Sequence, residues 1–173
     1  MDDVLFRAEQ YQNLSIKKAQ AHYNAADMFS RRNIMLGAPV TVATSVVATS
    51  IFATLGQEKS NIVIMAVTGS LSIAAAVLSG LQTFLRYSDQ ASEHRRTGVS
   101  YESVRRALDL FALEFRLSTD RAAALKALGD VAAKLDAIAE AEPTVPQYIY
   151  DKVKWTPALA SDFSTPTTPR PTS

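Results

Sequence analysis

The chain has 173 residues, 47% of them hydrophobic and 20% charged, with a formal net charge of +1. That length suits one ordinary domain, and the balance lacks the clustered positive footprint that bulk nucleic-acid binding needs. With no cysteine, disulfides, thiolate nucleophiles and cysteine metal sites are excluded.

Residues 1–32 read as an N-terminal cytoplasmic helix. From about residue 3 to residue 30, Leu5, Ala8, Tyr11, Ala19, His22, Tyr23, Ala26 and Phe29 recur at mixed three- and four-residue steps. The stripe is modest in apolar content, which favours packing on other cytoplasmic helices over lying on a membrane surface. Asp2, Asp3, Arg7, Glu9, Lys17, Lys18 and Asp27 argue against a cleaved signal peptide, and Asp2 together with the lack of cysteine against a lipid anchor.

Residues 33–55 and 60–85 carry no Asp, Glu, Lys or Arg, and only Gly56, Gln57, Glu58 and Lys59 separate them. As helices these runs reach about 35 and about 39 Å, enough for a hydrocarbon core of about 30 Å. A helix apolar on every face needs cover all round, and the rest of the chain is too short and too charged to supply it. The expectation is an all-α membrane protein: a two-transmembrane helical hairpin (33–85) with an N-terminal helix and a long cytoplasmic stalk. Lys17, Lys18, Arg31 and Arg32 precede the first span, and Arg86, Arg95, Arg96, Arg105 and Arg106 follow the second. By the positive-inside rule, both termini are cytoplasmic.

Pro39 falls in the second turn of the first span, where it costs less than in mid-helix. Thr41, Ser45 and Thr49 recur every fourth residue, as do Ser72, Ala76 and Gly80 in the second span. Small residues at that spacing allow close helix packing, so each stripe suits the hairpin contact; alternatively, the hydroxyl stripe faces a pore in an oligomer.

Residues 86–155 form the cytoplasmic helical region. Without a proline from 83 to 115, the second span is expected to continue as a stalk with one apolar side at Tyr101, Val104, Leu108, Phe111 and Phe115, bending at Gly98. Ser118, Thr119 and Asp120 offer an N-cap for a further helix with Leu125, Leu128, Val131, Ala132, Leu135 and Ile138 on one face, ended by Pro143. These two helices are expected to pair as an αα-hairpin. The segment 147–155, with Tyr148, Ile149, Tyr150, Val153 and Trp155, has apolar area to dock, and 156–173 is a disordered Pro/Thr/Ser-rich tail.

No nucleophile elbow, phosphate-binding loop or metalloprotease motif is present, so an enzyme is not expected and no cofactor is implied. His22 and His94 read as packing or hydrogen-bonding residues, and Glu93, Glu102 and Glu114 as solvated helix surface. Arg95, Arg96, Arg105 and Arg106 are candidate contacts for an anionic ligand or an acidic partner. A straight stalk carries Arg105 about 30 Å beyond Leu85, too far for simple lipid contact.

The run Leu78, Ser79, Gly80, Leu81, Gln82, Thr83, Phe84 and Leu85, continuing through Ala91 and His94 to Tyr101 and Arg105, resembles the exit of the second membrane helix in the SLATT family. Arg32-Asn33, the helix around Tyr23 and the segment Pro146, Gln147, Tyr148, Ile149 and Tyr150 are similar as well, so the likeness spans roughly residues 14–154. Members are bacterial two-transmembrane effectors of nucleotide-second-messenger defence systems. The resemblance implies an inner-membrane homo-oligomer that opens a pore or breaches the bilayer on activation in antiphage defence, causing cell death or arrest. It also implies a nucleotide second messenger, or a separate sensor or nucleotidyltransferase, as partner. It transfers no catalytic role to Gly80, Gln82, Phe84, His94 or Tyr101. A non-conducting membrane scaffold or sensor that recruits a cytoplasmic partner is the alternative.

Overall fold

A computed structural model describes residues 2–54, 62–117 and 120–153. Those residues are helical with no strand: α1 (Asp2–Thr54), α2 (Ile62–Leu85), α3 (Tyr87–Leu117), α4 (Arg121–Ala141) and the single turn α5 (Gln147–Tyr150). The loop expected at 56–59, the caps Ser118 and Thr119, Trp155 and the tail 156–173 lie outside the described residues.

One helix of 53 residues, about 80 Å long, carries both residues 2–32 and the first apolar run, passing through Arg31, Arg32 and Pro39 without a break. Nothing between residues 2 and 36 is a glycine or proline, and arginine is a good helix former, so no local signal stops the helix.

The N-terminal half of α1 buries Val4, Ala8, Gln12, Ser15, Ala19, His22 and Ala26, a row at steps of four and three. Most of these side chains are small. Against them α3 lays its large ones: Tyr101, Val104, Leu108, Phe111 and Phe115, all buried as their periodicity predicts. A small face opposite a large one brings the two axes close and fills the space between them. Gly98 belongs to this contact, since a Cβ there would lie 2.9 Å from the Tyr23 ring. It marks a close approach inside α3, and the expected bend is elsewhere.

The interruption falls at Arg86, where φ is 47°. Arg86 N–H still donates to Gln82 C=O at 3.3 Å, the single bond of a left-handed helix cap. Gln90 Nε2 donates to Leu85 C=O at 2.9 Å, and Arg86 C=O receives the amides of Asp89 and Gln90. One residue thus ends α2 and opens α3, and the stalk is jointed to α2 instead of continuous with it.

Asp120 is the N-cap of α4, its carboxylate accepting from the amides of Ala122 and Ala123 at 3.0 and 3.1 Å. Ala124, Leu128, Val131 and Leu135 are buried, and Ile138 packs against the same core. Leu125, expected on that face, is exposed. The α3–α4 pairing is present but secondary, because the buried side of α3 is shared with α1. After α4 the backbone turns extended at Glu142, Pro143 follows, and Ile149 of α5 is buried. Lys17 Nζ lies 5.0 Å from the Tyr150 ring centre, tying α5 to α1.

The C-terminal half of α1 lies along α2, but the other described residues leave this pair uncovered. Both have stretches long and apolar enough to cross a membrane, and only 6% of each stretch is buried, whereas a core helix of a soluble protein is mostly buried.

Candidate functional site: a buried polar cluster and two apolar helices

Where α1, α3 and the chain leaving α4 meet, the core turns polar. The carboxylate of Glu142 takes Lys18 Nζ on Oε1, and Tyr101 O–H at 2.7 Å with His22 Nε2 at 3.2 Å on Oε2. His22 Nδ1 lies 3.0 Å from His94 Nδ1, and both rings are buried. Phe29 stacks on His94, with centroids 5.4 Å apart, and Tyr101 stacks on His22 at 5.8 Å.

The proton positions follow from which atoms can donate. Burial pushes the Glu142 carboxyl up, but the hydrogen bonds from Lys18, Tyr101 and His22 more than offset that and hold it below its ordinary value. It is ionised and accepts only. Burial, reinforced by the Glu142 hydrogen bond, pushes the Tyr101 phenol far above its usual value, so its hydroxyl donates. Burial lowers His22 despite the Glu142 hydrogen bond, and burial together with the neighbouring His22 lowers His94. Both rings are therefore neutral near pH 7. His22 Nε2 faces the carboxylate and carries the hydrogen, His22 Nδ1 is bare, and His94 Nδ1–H donates to it.

A second polar layer lies farther along α1. Gln12, almost fully buried, donates to Asp109, which also receives Arg105 Nη1 at 2.9 Å. Arg105 Nη2 reaches Glu102 at 2.6 Å. Ser15 Oγ donates to Tyr11 C=O at 2.7 Å. Among the described residues no buried side-chain nitrogen or oxygen lacks a partner, and no three His, Asp or Glu side chains converge as metal ligands.

The residues singled out from sequence separate into three places. Thr41, Ser45 and Thr49 are exposed on the side of α1 away from α2, each hydroxyl donating to the carbonyl four residues back at 3.0, 2.8 and 2.9 Å. Of the α2 stripe, Ser72 is half-buried, whereas Ala76 and Gly80 are exposed and a Cβ at Gly80 would meet nothing. Of this stripe Ser72 alone lies on the covered side of α2, which runs through Thr68, Leu71, Ser72, Ala75, Leu78 and Gln82. Ala75 is its buried centre because the helix turns that side toward α1. Gln82 packs over Gly37, where a Cβ would lie 3.0 Å from Nε2, and reaches Asn33 Oδ1 at 3.5 Å.

The four candidate arginines are not brought together. Arg105 is held by Glu102 and Asp109, and Arg95 sits 3.4 Å from Asp27, while Arg96 and Arg106 are exposed. Glu102, expected as solvated surface, is half-buried in the Arg105 pair.

Sequence reasoning assigned His22 and His94 a hydrogen-bonding role without pairing them, and it missed Glu142, Lys18, Gln12 and Ser15. Gln12 and Ser15 carried a signal, since they complete the row between Ala8 and Ala19. Glu142 carried none beyond its place before Pro143. No family model matches the chain, and neither a curated protein nor a solved structure does.

Proposed function

We propose that the chain is a homo-oligomeric inner-membrane effector in which α1 and α2 cross the bilayer as a hairpin, both termini in the cytoplasm, and the assembly opens a pore or breaches the membrane on activation. The observation that carries this reading is the pair of long apolar helices left uncovered by the other described residues, with the hydroxyl side of α1 at Thr41, Ser45 and Thr49 turned away from α2. Lipid or further copies supply the missing cover. One hairpin cannot enclose water, but a closed ring of hairpins can, and its polar face then borders the path. Arg31, Arg32 and Arg86 at the cytoplasmic ends of the apolar runs support the orientation. The antiphage role and its activator, a nucleotide signal or a separate sensor protein, rest on the resemblance to SLATT effectors.

Ion flux through liposomes holding the purified chain tests the pore. Replacing Thr41, Ser45 and Thr49 together with leucine is expected to lower flux at least about tenfold, about 1.4 kcal/mol in the permeation barrier, with oligomer size unchanged. Loss of the oligomer would instead assign that side of α1 to packing between copies.

A second reading, a non-conducting scaffold or sensor, has its own support. Each of the three hydroxyls is already satisfied by its own helix backbone and needs no water. Liposomes that stay silent with and without candidate activators, while the cytoplasmic helices retain a partner, would favour it.

A further inference from the structure

We propose that Arg31 and Arg32 form a binding site for the phosphodiester head of an anionic phospholipid, one lipid to each copy of the chain, where α1 enters its apolar run. The site rests on the bilayer placement of α1 and α2 proposed above and not on whether the assembly conducts.

Depth selects these two arginines. The uncharged run of α1 begins at Asn33, so Arg32 and Arg31 lie about 1.5 and about 3 Å of helix rise outside it. The polar layer on each side of the hydrocarbon core is about 5–7 Å deep. Arg86, at the matching level after α2, is already occupied: its Nη2 and Nε meet Asp89 Oδ2 at 2.7 and 2.8 Å. Arg95 and Arg96 begin about 15 Å beyond Leu85 on α3, clear of the headgroups.

Neither Arg31 nor Arg32 has a carboxylate partner among the described residues. Arg32 is nevertheless fixed in place. Its guanidinium carbon lies 5.9 Å from the Phe29 ring centre and 6.0 Å from that of Tyr87, so α1 and α3 hold it together. Phe29 is in turn stacked on buried His94. Aromatic rings attract the cation but offer its N–H groups no oxygen acceptor, and a planar guanidinium presents those donors in a fork that matches a phosphate. A side chain already held in position loses less freedom when the ligand arrives. Exposed Arg31 lines the same open hollow as Arg32, with Asn24, Asp27 and Met28.

The charges of the hollow favour an anion. Its two guanidinium groups face one carboxylate, Asp27, which lies one helical turn farther from the apolar run and pairs with Arg95 at 3.4 Å. That leaves positive charge for a singly negative phosphodiester to neutralise, whereas the cationic group of a choline head is repelled by two arginines. The neighbouring surface points to a lipid and not to a phosphate-bearing solute. Ile34 and Met35, three and four residues after Arg31 and hence on the same face of α1, are 62% and 74% exposed. A phosphate held at Arg31 has its acyl chains directed along that apolar track.

Native mass spectrometry of the full chain released from micelles containing equal amounts of phosphatidylglycerol and phosphatidylcholine reads the site. The wild-type chain is expected to retain one phosphatidylglycerol per copy, favoured at least about fivefold over phosphatidylcholine, the factor that one interfacial arginine supplies. In Arg31→Gln/Arg32→Gln the preference is expected to fall below about twofold. In Arg96→Gln/Arg106→Gln, which removes the same charge from exposed positions farther out on α3, it is expected to stay. Equal retention of the two lipids by the wild-type chain overturns the proposal without recourse to any variant. So does a preference that survives Arg31→Gln/Arg32→Gln, or one lost equally in Arg96→Gln/Arg106→Gln. Inorganic phosphate that abolishes the preference at fixed ionic strength also overturns it, by assigning the arginines to a soluble anion. Flotation separates failure of the site from failure of the bilayer placement: a chain that floats with liposomes of both lipids but shows no preference loses the site and keeps the placement, whereas a chain that does not float loses both.

Discussion

Gly98 and Gly129 are both helix-interior glycines, and alanine at either would gain about 1 kcal/mol from backbone propensity alone. Their surroundings decide otherwise for one of them. At Gly129, on exposed α4, a Cβ meets nothing within 4 Å, so Gly129→Ala is expected to stabilise by about that amount. At Gly98 a Cβ would press three ring carbons of Tyr23 at 2.9 to 3.2 Å, and that ring is packed in the α1–α3 seam. Overpacking of about 1–3 kcal/mol outweighs the propensity gain, so Gly98→Ala is expected to destabilise. Thermal unfolding of the two variants side by side checks both signs. Neither role was legible beforehand: Gly98 drew a bend because glycine weakens any helix, and only the approach of an element 75 positions earlier, at Tyr23, explains it. The polar cluster was hidden for the same reason. His22 and Glu142 are 120 positions apart, and no local period links them.

Among elements, α3 and α4 were legible because their buried sides are built of large apolar residues at helical steps. The buried side of α1 was only half legible, since it consists of alanines with Gln12, Ser15 and His22 among them. Small and polar residues yield a weak periodic signal, yet they are what lets Tyr101, Leu108 and Phe111 approach. The joint at Arg86 had no signal at all, because a left-handed cap ordinarily calls for glycine. Arg86→Gly is accordingly expected to stabilise the chain by about 1 kcal/mol, the relief of a left-handed non-glycine residue. The ion pair it removes, Arg86 with Asp89, is largely exposed and offsets little of that. A rise in melting temperature in Arg86→Gly checks the balance, and a fall would show the ion pair to matter more than the strain.

For the whole molecule, the two uncharged runs announced the two apolar helices without ambiguity, because charge-free stretches of that length have few alternatives. Their lack of cover among the described residues could be learned only from the fold. The proposed bilayer placement makes a direct prediction: the untagged protein sediments with membranes, resists extraction by carbonate or high salt, and enters solution with detergent. A monodisperse chain in detergent-free buffer would remove both the placement and the effector reading built on it.

The two strands of chain that connect the apolar pair to the polar bundle differ mechanically. One is the unbroken rod of α1; the other passes through the left-handed residue Arg86, where the helical ladder is interrupted. A push or twist applied to the bundle would therefore be delivered along α1 as rigid displacement, while the path into α2 has to cross that interruption. Force in this molecule has a preferred line of travel, and it begins at the end of α1 that the first residues of the chain occupy.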